Sequence, residues 1–298
     1  MQRISIRVKK IDYIIYKEIK KGASGEDVAR KIEKSRVSVW KRIKKMREFV
    51  EIEAKKGYGY RIIHEKDPNP YAIAEAAFDF LGTEEVFYFR STDSTNERAK
   101  KFSKPNILFF AEKQTEGRGR WGRRWESDLG GLYFSFTLKP HFEELQKITI
   151  VSGLAVAEAI MDLGLRAELK WPNDVLIDGK KVCGILCELS GTYEEPIVIV
   201  GVGINVRNKF ENATSLCDYK VCSLNLVFKK FCESFQRISN LSWREIILRY
   251  KNFCKTSGKF VRVLTPHGVV EGFAEIDDDG ALLVNGRKIL AGDCLHLR

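Results

Sequence analysis

Residues 117–125 read GRGRWGRRW, four arginines and three glycines in nine positions. Guanidinium forks match phosphate or carboxylate, and glycines let a backbone approach a ligand closely. Glycine freedom and like-charge repulsion predict a loop that is mobile when empty and ordered by an anion. Read alone, the stretch fits equally an RGG-like patch for single-stranded nucleic acid. A second cluster, Lys170-Trp171-Pro172-Asn173-Asp174, is followed by Lys181-Val182-Cys183-Gly184-Ile185-Leu186. Lysines at strand ends facing a glycine-bearing strand place ammonium groups around a phosphate, and Asp174 adds a carboxylate that orients a metal, a ribose or an amine. Either lysine taken singly is also ordinary surface charge. The third cluster, GVGIN at 201–205, requires nothing beyond a strand packed closely through its backbone. Histidines 64, 141, 267 and 296 are scattered and point to neither a metal cluster nor a His-based nucleophile. Cysteines 183, 187, 217, 222, 232, 254 and 294 form no CxxC pair, and their odd number cannot all pair, so reduced thiols packed as small hydrophobes are expected.

The elements that must position these residues are legible around them. EVFYFRS (85–91), NILFFAEK (106–113) and GLYFSFTLK (131–139) are strand-like, rich in aromatic and β-branched residues. A long segment, 142–164, turns helical in its later part. RAELKWP (166–172), DVLIDGKKVCGILCEL (174–189) and PIVIVGVGINV (196–206) again predict strands, with a hairpin turn at DGKK. Strands grouped around one long helix indicate an α+β sheet, not a regular βαβ alternation. Residues 219–256 hold two more helical patterns. Residues 258–298 give short strands divided by turns at Pro266-His267-Gly268, Asp279-Gly280 and Asn285-Gly286, as in a small SH3-like β-barrel.

The chain has 298 residues, 44% hydrophobic and 31% charged, an ordinary globular composition of two domains or two with a small third. No apolar run approaches a membrane span and the N-terminus lacks an apolar signal block, so a soluble, cytoplasmic protein with no membrane partner is expected. The net charge of +11 is unevenly spread: the first 66 residues hold 20 Lys and Arg against 9 Asp and Glu, the rest 31 against 31. Such a basic module is the footprint of a nucleic-acid-binding appendage, or a solvated lysine-rich surface. Residues 10–21 carry Ile11, Ile14, Ile15 and Ile19 at helical spacing, Ser24 and Ser35 are candidate caps, and 36–48 predicts a third helix. That helix is expected to turn Val37, Trp40, Ile43 and Met46 or Arg47 inward and Arg36, Ser38, Lys41, Arg42, Lys44 and Lys45 outward. VEIEAKKGYGYRII then predicts a hairpin. Three helices and a two-stranded wing make a winged helix-turn-helix whose third helix enters the major groove, unless the module serves only contacts with the rest of the chain. HEKDPNPYA (64–72), polar with two prolines, predicts a linker crossed by few contacts.

The order and spacing of Ser94-Thr95-Asn96, then Gln114 with GRGRWGRRW, KWPND, KKVCGILCE and GVGIN closely resemble the biotin protein ligase family. The basic module makes the chain similar to the bifunctional type, ligases that also repress a biotin operon. A lipoate ligase shares the fold, but GRGRWG and KWPND match the biotin branch. The resemblance implies a winged helix-turn-helix over 1–64, a catalytic domain over 72–256 and an SH3-like C-terminal domain over 257–298. It implies that biotin and ATP give biotinyl-5′-adenylate with Mg²⁺, and that the biotinyl group passes to a lysine of a biotin carboxyl carrier protein. Ser94, Thr95, Asn96 and Gln114 would contact biotin. Arg118, Gly119 and Arg120 belong to the covering loop, and Lys181 to the reacting centre. Gly184 and Ile185 lie beside the ligand, Trp125 packs near the adenine and Asn205 near the nucleotide. Lys170 and Asn173 complete the adenylate site, and Lys181, Arg120 and Asp174 form the catalytic set, Asp174 orienting the acceptor amine. The same resemblance implies a homodimer on a DNA operator, or a ligase whose helix-turn-helix binds no specific DNA.

Overall fold

In a computed structural model the described residues are 5–55, 57–139 and 145–297; Lys56 of the expected hairpin, His141 and the start of the expected helix at 142–144 lie outside them. Capping and periodicity explain the N-terminal elements: β1 (Ser5–Lys9), α1 (Lys10–Lys20), α2 (Gly25–Lys31), α3 (Arg36–Met46), β2 (Val50–Lys55) and β3 (Gly59–Glu65). The Ser24 and Ser35 hydroxyls accept the backbone N–H of Asp27 and Ser38 at 3.1 and 3.2 Å, fixing where α2 and α3 begin. β2 and β3 pair antiparallel as the wing.

The expected inward face of α3 needs correction. Val39, Ile43 and Met46 are buried, whereas Val37 and Trp40 are 62% and 51% exposed. Apolar residues at 37, 39, 40, 43 and 46 offer two overlapping helical stripes, and packing on α1 and α2 takes the one through 39. Arg42, expected outward, is instead half-buried and ion-paired with Asp12 of α1.

The body continues as α4 (Pro70–Phe80), β4 (Glu85–Phe89), α5 (Thr95–Phe102), β5 (Ile107–Ala111), β6 (Leu132–Leu138), α6 (Leu145–Asp162), β7 (Glu168–Lys170), β8 (Asp174–Ile177), β9 (Lys180–Gly191), β10 (Pro196–Ile204), α7 (Leu224–Ser239) and α8 (Trp243–Phe253). Eight strands form one mixed sheet in the order β1-β4-β5-β6-β10-β9-β8-β7, in which only β4 and β5 are parallel, joined through α5. Both faces are covered, which is why β4 and β5 read as unbroken apolar runs. On one face Phe87 stacks on Phe109 at 5.3 Å beneath α5; on the other Phe134 and Phe136 meet Phe228, Phe231 and Phe235 of α7, beside α6.

The segment 64–72 is not the open linker expected. Asp67 accepts the backbone N–H groups of Leu224 and Asn225 at 3.0 and 2.8 Å and pairs with Arg207, and Asn69 is buried. Strand β1 extends the body's sheet, with Val8 opposite Val86, and α1 leans on α4 through Tyr13 to Asp79 at 2.5 Å and Lys20 to Glu75 at 2.8 Å. The polar residues that read as solvated are satisfied by α7 and α4 instead of water.

The C-terminal part comprises β11 (Phe260–Thr265), β12 (Gly268–Ile276), β13 (Leu282–Val284), β14 (Arg287–Ile289) and β15 (Asp293–His296), an antiparallel five-stranded sheet ordered β14-β13-β12-β11-β15. The expectation of reduced cysteines fails at one pair. Cys217 and Cys222 form a disulfide, because a 3-10 turn at Leu216–Tyr219 followed by Lys220 at φ 67° brings their Cα atoms to 4.6 Å. Cys183, Cys187, Cys232, Cys254 and Cys294 are free, as expected, and all but the half-buried Cys187 are buried.

Candidate active site

The motifs singled out above converge on one cavity at the β9–β10 face of the sheet, although they come from five separate stretches. Ser94, Thr95 and Asn96 occupy the start of α5. The Thr95 N–H donates to Gln114 Oε1 at 2.8 Å, Gln114 Nε2 donates to Ser127 Oγ at 2.9 Å, and the Ser135 hydroxyl reaches Asn96 Oδ1 at 2.5 Å. This buried, closed chain of polar groups fixes one end of the cavity. Asp93 steadies the turn before it. Burial would raise its carboxyl, but the Ser94 N–H, the Thr92 hydroxyl and Arg98 hold it down at about 2.

The arginine-rich loop folds back on itself, with Gly119 N–H donating to Arg123 O at 2.7 Å and Trp125 N–H to Gly117 O at 2.9 Å. A Cβ on Gly117 would lie 2.3 Å from Trp125 O, so this crossing demands glycine. Arg120 Nη1 donates to Gly292 O at 3.1 Å and lies 3.4 Å from Asn173 Oδ1. Burial lowers its guanidinium from the ordinary value, while Asp293 and Asp174 oppose that. Arg118 pairs with Glu97 at 2.8 Å and Arg123 with Asp293. Lys181 Nζ stands 2.6 Å from Asp174 Oδ1 and 5.1 Å from the centre of the Trp125 ring. Each of these four cations is thus held by protein oxygens around the space an anion would enter.

KWPND forms the β7–β8 turn and is locked to β9, Asn173 Nδ2 donating to Ile185 O at 2.9 Å and Ile185 N–H to Asn173 O at 3.0 Å. Lys170, Asn173, Asp174, Lys181, Gly184 and Ile185 all line the cavity. Its floor is glycine. Gly203 lies opposite Gly184 across the β9–β10 ladder, and the Trp125 indole rests on both: a Cβ at Gly203 would be 2.4 Å from Trp125 Nε1 and one at Gly184 2.9 Å from its ring. A Cβ at Gly201 would strike Asn96 Oδ1 at 2.2 Å. Trp125 Nε1 is buried with no hydrogen-bond partner among the described residues, a donor left for a ligand.

Asn205 alone of the expected ligand-binding residues is not on this cavity. Its amide donates to Thr214 O at 3.2 Å and accepts from Asn208 at 3.2 Å, and it lines an adjoining pocket that shares Trp125 and Lys181. Sequence reasoning missed Gly201 and Gly203 as floor residues, although GVGIN had been noted. It also missed Asp293, Cys294 and Leu295, which the C-terminal sheet brings to the rim. Only topology reveals those three. The buried Cys294 thiol at the rim is inert, burial pushing it up to about 12.

Residues 88–205 match the Biotin/lipoate A/B protein ligase family, residues 7–61 an HTH domain and residues 256–297 the biotin protein ligase C-terminal domain. The fold and site are therefore of the biotin/lipoate ligase class. The chain is 32% identical to the Bacillus subtilis protein named bifunctional ligase/repressor BirA, over 91% of its own length and 92% of the relative's. It is 35% identical to the biotin–[acetyl-CoA-carboxylase] ligase of Mycobacterium tuberculosis, over 64% of this chain and 79% of that one. Among solved structures, the biotin protein ligase from Aquifex aeolicus in complex with biotin and ATP matches at a TM-score of 0.62 and 34% identity, covering 72% of this chain and 98% of that one. The chain belongs to the biotin protein ligase family, in the form that carries an N-terminal helix-turn-helix.

Proposed function

We propose that the protein activates biotin with ATP to biotinyl-5′-adenylate, transfers the biotinyl group to a lysine of a biotin carboxyl carrier protein, and represses transcription in response to biotin through its N-terminal module. The observation that carries the ligase reading is the convergence of Lys181, Arg118 and Arg120 on a cavity whose other end is the closed polar network of Thr95, Asn96 and Gln114.

In the first step a biotin carboxylate oxygen attacks the α-phosphorus, and the bond to the bridging oxygen breaks to release pyrophosphate. Two anions meet, so the site must cancel negative charge as the crowded phosphorus forms. Lys181, released from Asp174, and Arg118, released from Glu97, exchange a carboxylate partner for the ligand's phosphate; Arg120 already faces the cavity. Each such preorganised donor is worth on the order of 3 kcal/mol in the transition state. Trp125 and the glycine floor offer a flat apolar surface and one N–H to the nucleotide, and the loop keeps water from the mixed anhydride. In the second step the acceptor amine must first lose its proton, since an ammonium has no free lone pair. It then attacks the carbonyl carbon and AMP departs. Asp174, freed when Lys181 turns to phosphate, is placed to orient that amine.

The cavity offers Asp174 and Asp293 and no cluster of three metal-ligating side chains among the described residues. That donor set fits one Mg²⁺ bound with the nucleotide: Asp174 or Asp293 would hold it, and it would supply further charge neutralisation. No helix among the described residues is long and apolar enough to cross a membrane.

Arg36, Lys41, Lys44 and Lys45 are exposed on α3, Ser38 is half-buried near its start, and Arg42 is tied to Asp12. Four cations on the helix favour phosphate contacts, and a steep loss of DNA affinity with salt is expected. In this reading the DNA-bound form is a homodimer promoted by the adenylate, which sedimentation with and without biotin and ATP tests. The test of the ligase reading is pyrophosphate exchange into ATP that depends on biotin and not on lipoate, followed by transfer to a carrier domain. Exchange with lipoate alone would overturn it.

A further inference from the structure

The exposed face of α3 carries more than charge. With Val39, Ile43 and Met46 filling the buried stripe, Val37, Lys41 and Lys44 fall at i, i+4 and i+7 on the opposite face, with Trp40 beside them. Val37 and Trp40 form one wall of a groove whose other wall is Lys55 and Tyr60 of the wing. Both side chains leave half or more of their surface in water. Lys44 Nζ sits 5.3 Å from the Trp40 ring centre, so the indole stands inside the cationic field.

An apolar strip framed by cations on a protruding helix matches one feature of duplex DNA. In the major groove each thymine presents its C5-methyl group between flanking phosphates. Double-stranded RNA offers neither the methyl nor a groove wide enough for a helix. We infer that Val37 and Trp40 are specificity-determining residues of this module, reading thymine methyl groups in the major groove while Arg36, Lys41 and Lys44 hold the adjacent phosphates. The inference rests on the DNA-binding reading above and adds what that reading lacks, the chemistry by which α3 chooses a sequence.

The test uses the full-length protein with biotin and MgATP. Duplexes are enriched from a random pool, and the enriched sequence is resynthesised with deoxyuridine in place of thymidine at one position at a time. Removing the contacted methyl is expected to weaken binding about fourfold, the size of one buried CH₃. Val37→Ser and Trp40→Ser each remove sensitivity at one of those positions while keeping the salt slope of the parent. Both side chains are exposed, so the variants keep their melting temperature. If every deoxyuridine duplex binds as its thymidine parent, or if both variants remain fully sensitive to the methyl, the inference is wrong and the strip serves another partner. If no duplex is enriched and DNA is not retained even at low salt, the DNA-binding reading itself fails, an outcome distinct from the first two.

Discussion

Gly203→Ala separates the two ends of the cavity. Gly203 has an ordinary backbone conformation, so alanine is not strained by its φ; the obstacle is space. The new methyl would stand 2.4 Å from Trp125 Nε1 and 2.7 Å from its Cε2. The indole cannot slide along the floor toward β9, because its far edge already rests on Gly184 beside Lys181, and its backbone is fixed to Gly117. It must leave the floor. Overpacking of this kind costs about 1–3 kcal/mol. Here the cost falls on the seat of one side chain, so it appears as a rise of about 5- to 150-fold in the KM for ATP. Biotin affinity measured by calorimetry without ATP should stay within about threefold, since the Thr95–Asn96–Gln114 network is packed over Gly201 and not Gly203. Gly201→Ala is the converse, its methyl reaching 2.2 Å from Asn96 Oδ1, and should weaken biotin binding before it affects ATP. If Gly203→Ala leaves the KM for ATP unchanged, or lowers biotin affinity as much as ATP affinity, the division of the cavity is wrong.

Lys181→Ala removes one preorganised cation and should slow pyrophosphate exchange roughly 100-fold. Melting should change little, because a partly exposed ion pair at a cavity wall contributes on the order of 1 kcal/mol; near-normal exchange would reject the assignment. Arg120→Gly loses the anchors to Asn173 and Gly292 and should let adenylate escape, seen as biotin on unrelated proteins. If bystander proteins stay unlabelled, the loop is not what retains the intermediate. Asp93 is held at about 2 against an ordinary 3.8, so its contribution is complete above the unfolded value and lost as pH falls through the folded one. The melting-temperature gap between the parent and Asp93→Asn should therefore close between about pH 4 and pH 2; a gap independent of pH would contradict this.

The legible parts of the molecule were those where local pattern and packing agree. Capping by Ser24 and Ser35, the paired glycine-turn hairpins and the apolar strands at 85–111 needed no tertiary information. The helix capped at Ser94 was overlooked because Asn96, Glu97 and Arg98 offer little apolar periodicity; its buried residues are Thr95, Asn96 and Ala99, two of them polar. Strand β1 was illegible because SIRVK becomes a strand only by pairing with residues 85–89, far along the chain. The inward face of α3 went wrong for a related reason, two stripes being equally good until α1 and α2 choose one. At the site, residue types pointed to the cations and to Asp174, but not to the carboxylates that hold Arg118 and Arg123, since Glu97 and Asp293 lie outside every motif.

The most direct measurement is a crystal structure of the full chain with biotin and ATP. The biotin carboxylate and the α-phosphate should meet between Lys181, Arg118 and Arg120, with the 2.6 Å Lys181–Asp174 pair opened toward the ligand. Both ligands bound elsewhere, or those side chains turned to solvent beside an empty cavity, would contradict the account.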